Sequence, residues 1–169
     1  MILSVIFFLL AFLLDRAVKM FVLNNFVLGE TRGFIPGILQ LTYAQNTGVA
    51  FGFLANHQWI PLVLTPLIMI GLGVLLWKNV FPCPVCRLAL VAVMAGGLSN
   101  WIDRIAYGFV VDMFETVFMR FAIFNVADIF ITVGGGVFLV AYFLKELRTM
   151  RENKGSESTE PEQTEPSGE

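Results

Sequence analysis

Charge is scarce in this sequence: 14% of its residues are Asp, Glu, Lys or Arg and 57% are hydrophobic, where a soluble domain carries about 25% charged residues. Histidine occurs once and cysteine twice, too few for a four-ligand zinc site or a disulfide framework. The net charge of -2 comes largely from glutamates after residue 151, so neither a nucleic-acid partner nor an acidic substrate is indicated. No Ser/His/Asp or Cys/His set falls on one face, and no glycine-rich phosphate loop follows a strand. Nucleophilic, metal and cofactor chemistry thus lack residues to carry them. What 169 residues at mean hydropathy +0.76 describe is a single membrane domain.

A spanning helix needs about 20 apolar residues, and four runs qualify: about residues 2–23, 59–77, 88–104 and 121–144. The first is interrupted by Asp15, Arg16 and Lys19, and the last contains Asp128. Ile2 to Leu14 has the length of a signal-peptide core, but no basic residue precedes it and no small-x-small site follows, so it reads as a retained span. Four spans put both termini on one side. Lys78, Arg87, Lys145, Arg148, Arg151 and Lys154 then lie with the termini, opposite Arg16, Lys19, Arg32, Arg104 and Arg120. The positive-inside rule makes the first side cytoplasmic. Residues 1–150 form the membrane domain, and 151–169 read as a disordered acidic cytoplasmic tail with no large apolar residue from Gly155 on.

Two outer connections remain. Between about Asn24 and Gln58, Leu39, Leu41 and Tyr43 alternate with Gln40, Thr42 and Ala44 after a Pro36-Gly37 turn signal, a strand pattern with Val27-Leu28 as its expected partner. Between Ile105 and Arg120, the residues Phe109, Val110, Met113, Phe114, Val117 and Phe118 fall on one helical stripe, with Asp112, Glu115 and Thr116 off it. That spacing predicts an interfacial amphipathic helix, or else an ordinary surface helix packed on the bundle. The fold class is therefore membrane all-α, four transmembrane helices with a small β element and an interfacial helix on the outer face.

A charge in the hydrocarbon layer is costly and marks a functional candidate by default. All four aspartates (Asp15, Asp103, Asp112 and Asp128) fall on the outer side, with Asp128 expected about 10 Å down the last span. Asn100 with Asp103, and Asn125 with Asp128, are three apart on a helix face, so each amide reaches its carboxylate or a shared ligand. Asp15 with Lys19, and Asp103 with Arg104, also read as pins between helices, as Ala92, Gly96 and Gly134 to Gly136 read as packing sites. Asp112 and Asp128 have no adjacent cation, which favours a catalytic pair. Two close carboxylates share one proton, so one takes a proton from water while the other polarises a carbonyl. A proton-coupled transporter is the competing reading. His57, just before Trp59 at a span boundary, reads as an interfacial residue, and the Cys83-Pro-Val-Cys86 pair, in a cytoplasmic loop by this topology, reads as neither a zinc site nor a structural disulfide.

The blocks DRAVK (Asp15 to Lys19), NTGVAF (Asn46 to Phe51), GLSNWIDR (Gly97 to Arg104), VVDMF (Val110 to Phe114) and FNVAD (Phe124 to Asp128) resemble, in order and spacing, the motifs of lipoprotein signal peptidase. The resemblance covers roughly residues 8 to 145. It implies a four-span inner-membrane aspartic endopeptidase, active at the periplasmic side, that cuts prolipoproteins before a diacylglyceryl-modified cysteine. It implies Asp112 and Asp128 as the catalytic dyad, with Asp15, Lys19, Asn46, Gly48, Asn100, Asp103, Arg104, Asn125 and Ala127 lining or supporting the site. It also implies a monomer in contact with membrane lipid, sensitivity to globomycin-type inhibitors, and no cofactor. Where the family often has Ser or Thr before the lysine of the first block, this chain has Val18.

Overall fold

The computed structural model describes residues 2–48 and 59–157, with side chains as far as residue 152; His57 lies outside the described residues. The chain runs α1 (Ile2–Asn25), β1 (Thr31–Ile35), β2 (Leu39–Asn46), α2 (Trp59–Trp77), α3 (Pro84–Tyr107), β3 (Val110–Thr116) and α4 (Val126–Glu157). α3 is the central helix, against which α1, α2 and α4 pack. Among the described residues three helices, α2, α3 and α4, are long and apolar enough to cross a membrane. α1 is as long as α3, but its inward stripe Ala11, Asp15, Lys19 and Val22 carries charge while Leu9, Leu10, Leu13 and Leu14 face outward. α2 buries no residue at all. Apolar surface this extensive is incompatible with water and suited to lipid.

Small residues bring α3 and α4 together. A Cβ on Gly96 would stand 2.4 Å from the carbonyl oxygen of Ala127, and one on Gly134 would stand 2.8 Å from that of Ala89. The expectation that Ala92, Gly96 and the Gly134 to Gly136 run are packing sites holds for the first three, whereas Cβ atoms at Gly135 and Gly136 would meet nothing within 4 Å.

The sheet has the order β1-β2-β3, antiparallel throughout, with Thr31 opposite Thr42 and Ala44 opposite Asp112. The β1–β2 hairpin turns at Pro36-Gly37, where Gly37 adopts φ 73° and Ile38 N–H donates to Ile35 O at 3.0 Å. The strand partner is Thr31–Ile35, not Val27-Leu28; Gly29, at φ 81°, turns the chain between the two. The larger correction concerns Ile105 to Arg120. The expected interfacial or surface helix is β3, because Gly108 at φ 76° caps α3 and ends it, after which Val110-Val111 extends the ladder of β2. One face of this sheet closes on the end of α1, with Val22, Phe26, Tyr43, Val111 and Met113 in one cluster. Each such side chain contributes about 1.5–3 kcal/mol when fully buried.

Helix limits also differ from expectation. α3 is longer at both ends, starting from a Cys83 N-cap with Pro84 in its first turn, a position where proline costs no hydrogen bond. α4 begins only at Val126, since Phe121 to Asn125 are not helical and Phe124 bridges to Phe114. Asp128 is therefore in the first turn of α4 rather than deep in a span. At its other end α4 continues beyond residue 150 to Glu157.

Candidate active site

The start of α4 sets the position of Asp128. Asn125 Oδ1 accepts from the Asp128 N–H at 2.9 Å, and Asp128 Oδ2 accepts from the Asn125 N–H at 3.1 Å. This reciprocal capping box satisfies two backbone donors and fixes the carboxylate at the positive end of the helix. Asn100 Nδ2 donates to the other oxygen, Oδ1, at 2.8 Å.

Asp112 approaches from β3. Its Oδ1 accepts from Asn125 Nδ2 at 2.6 Å and its Oδ2 from Asn46 Nδ2 at 2.9 Å. Asn46, the last residue of β2, is oriented in turn by the Gly48 N–H, which donates to its Oδ1 at 3.0 Å. Asp112 is 1% exposed. Burial, and next the charge of Asp128, push its carboxyl from 3.8 up to about 7, against the opposing pull of the Asn46 and Asn125 amides. One asparagine, Asn125, thus touches both carboxylates.

Behind this pair lies a buried ionic cluster. Lys19 Nζ meets Asp15 at 2.8 Å and Asp103 at 2.9 Å, and donates to Asn100 Oδ1 at 2.7 Å. Asn100 and Asp103 do not bond to each other but share Lys19, one of the arrangements the spacing allows. Arg16 pairs with Asp103, whose Oδ2 also accepts from the Val111 N–H at 3.3 Å. Asp15 accepts from Ser99 Oγ at 2.6 Å and from the Ala127 N–H at 2.7 Å. The carboxylate of α1 therefore anchors the first turn of α4, and that of α3 anchors β3. Every buried side-chain nitrogen and oxygen among the described residues has a partner, the condition under which buried charge is tolerated.

Arg104 is not paired with Asp103. It donates to the carbonyl oxygens of Asn100 and Gly48, each at 3.1 Å, tying the chain after β2 to α3. All eleven residues singled out from sequence therefore gather at one end of the helices. Arg16 and Ser99 join them, and both lie inside the DRAVK and GLSNWIDR blocks. Val18, at the departing position, packs on the Val22 and Met113 cluster instead of hydrogen-bonding. Cys83 and Cys86 stand at the far end of α3 as free thiols, and no metal-holding group of His, Cys, Asp and Glu occurs among the described residues.

Asp112 and Asp128 open on a cavity of about 600 Å³ between α2, α3, α4 and β3. Its polar end is Asn46, Asn100, Arg104 and the two carboxylates; the remainder is mostly apolar, with Pro61, Phe121, Phe124, Ile129 and Val133 beside Thr65 and Thr132. Apolar walls with a few convergent polar groups at one end are the usual make-up of a ligand cleft.

A family model described as "Signal peptidase (SPase) II" matches residues 7–144. A lipoprotein signal peptidase of Streptococcus pneumoniae is 43% identical over 134 residues, 79% of this chain and 88% of that one. One of Lactococcus lactis subsp. cremoris is 41% identical over 139 residues, 82% and 92% of the two chains. Among solved structures, a bacterial membrane enzyme determined in meso at 2.3 Å superposes with a TM-score of 0.79 at 26% identity, covering 96% of this chain and 94% of its own. A second, at 1.9 Å, gives 0.76 at 28% identity over 82% and 91%. These matches span the helices, the sheet and both carboxylates, and they remove the transporter reading: the chain belongs to the signal peptidase II family of aspartic membrane proteases.

Proposed function

We propose that the chain removes the signal peptide of prolipoproteins by cutting before a diacylglyceryl-modified cysteine, with Asp112 and Asp128 as the catalytic dyad. The observation that carries this is the bridge through Asn125, whose side-chain amide donates to the Asp112 carboxylate and whose backbone N–H donates to that of Asp128, at the polar end of the cavity. The pair shares one proton at neutral pH, since burial and the neighbouring charge raise the Asp112 carboxyl to about 7. The ionised partner takes a proton from water, the water oxygen attacks the scissile carbonyl, and the protonated partner donates to the carbonyl oxygen. The proton then passes to the leaving nitrogen as the C–N bond breaks. Arg104, Asn46 and Asn100 line the same end and position the substrate backbone. Asp15, Lys19, Asp103, Gly48 and Ala127 hold the elements that carry the dyad.

The membrane arrangement is part of the same proposal: α1 to α4 all span, both termini are cytoplasmic, and the sheet and dyad face the periplasm from the inner membrane. Three of the outer cations, Arg16, Lys19 and Arg104, are consumed by contacts in the site, which leaves Arg32 and Arg120 against six on the other side. Residues 1–150 are the catalytic domain, acting as a monomer, and globomycin-type peptides occupy the cavity in place of substrate.

Cleavage of a diacylglyceryl-modified prolipoprotein by the purified chain tests the assignment. Asp112→Asn and Asp128→Asn, shown to be folded, lose at least about a hundredfold in rate, whereas Asp103→Asn keeps measurable activity. Normal cleavage by either dyad variant overturns the choice of residues.

A further inference from the structure

At the end of the bundle opposite the dyad, a second groove of about 830 Å³ runs between the start of α3 and the later turns of α4. Its walls are Val85, Gly136, Val137, Val140 and Leu144, and its mouth carries Lys145 and Arg148. Val137, Val140 and Leu144 are exposed in the fold. No described acid forms an ion pair with either cation. Lys145 is 17 residues beyond Asp128 on one helix, about 25 Å along its axis, and the hydrocarbon layer is about 30 Å thick. With the dyad near one interface, the two cations stand at headgroup depth of the other.

We propose that this groove binds one anionic phospholipid, an acyl chain lying along Gly136, Val140 and Leu144 and the headgroup phosphate held between Lys145 and Arg148. Charge complementarity selects the occupant. An apolar trough that ends in two cations a helical turn apart, neither in a salt bridge with another described residue, matches a molecule with an apolar tail and an anionic head, and a zwitterionic lipid would set its own cation against them. Gly136 supplies the floor, since a Cβ there meets nothing. The inference requires that α4 crosses the bilayer and is independent of the cleavage chemistry.

Native mass spectrometry of the full chain, released from bilayers of mixed phosphatidylglycerol and phosphatidylcholine, tests it. One phosphatidylglycerol per chain is expected to survive release, and Lys145→Ala with Arg148→Ala lowers its retention by on the order of thirtyfold, from about one unit of surface attraction per cation. Gly136→Leu, which leaves both charges in place, also lowers retention. Arg151→Ala, on the same helix but outside the groove, leaves it unchanged. Equal retention of the two lipids, a double variant that behaves as wild type, or an Arg151→Ala loss as large as the double variant's overturns the proposal. Displacement of the lipid by millimolar inorganic phosphate alone overturns it too, since that marks a site for a free anion. Because retention is read without substrate, a chain that failed to cleave prolipoprotein would still give a clear answer.

Discussion

Asp112 is held at 1% exposure by two amide donors, with no salt bridge among the described residues. Its carboxyl, raised to about 7 by burial and by Asp128, keeps in the folded state a proton that the unfolded chain releases near pH 4. Between about pH 4 and 7 each rise in pH therefore favours the unfolded chain, and the contribution is fully lost above the folded value. Rate follows the same proton: kcat/KM is expected to fall with a slope of one as pH rises through about 7, measured on the lipidated substrate, and a profile flat to pH 9 contradicts it. Lys19 is the opposite kind of residue, a cation shared by Asp15, Asp103 and Asn100. Lys19→Met leaves two buried carboxylates one partner short and costs about 3–5 kcal/mol, read as a lower unfolding temperature. The importance of these residues was legible in the sequence, because charge in an apolar helix is rare enough to stand out. Their partners were not: Arg16 with Asp103 and Ser99 with Asp15 join positions 87 and 84 apart.

Between elements, the contact that matters most is the crossing of α3 and α4, because it sets Asn100 against Asp128. Gly96→Ala drives a methyl into the Ala127 carbonyl, in the same turn as Asp128. It is expected to cost about 1–3 kcal/mol of stability and to lower kcat. Gly135→Ala has open space and removes a helix-interior glycine, so it stabilises by up to about 1 kcal/mol; an equal effect of the two substitutions in thermal unfolding would refute this account of the crossing. The sequence showed the helices and the β2 strand through their periodicity, but not β3. Val110, Val111, Asp112 and Met113 are all buried, so the strand shows no alternation, and its stripe of apolar residues fits a helix equally well. Its true partner, β2, lies more than 60 positions earlier. The start of α4 is hidden for a related reason: Phe121 to Phe124 are apolar without being helical, and the signal that begins the helix is the Asn125 and Asp128 box.

The molecule as a whole is built inside out, with its charges on the inward stripes of α1 and α3 and its leucines and valines facing outward. That pattern requires lipid around the helices, and it places the sheet and the dyad at one end and Cys83, Cys86, Lys145 and Arg148 at the other. The orientation of these two ends supplies a direct test, because the chain carries its own reporter. Cys83 is part-exposed as the N-cap of α3, and its thiol is pulled below the usual range by the Cys86 thiol and N–H that bond it, which raises its share of reactive thiolate. Ile38, at the tip of the β1–β2 hairpin, is 53% exposed. In spheroplasts bearing Ile38→Cys, a membrane-impermeant maleimide is expected to modify the hairpin thiol at once. Cys83 reacts only after the membrane is opened, as shown by comparison with Ile38→Cys in a Cys83→Ser background. Labelling of Cys83 in sealed spheroplasts together with protection of Ile38→Cys would invert the topology, put the dyad in the cytoplasm, and leave it on the wrong side for a substrate that has already been exported.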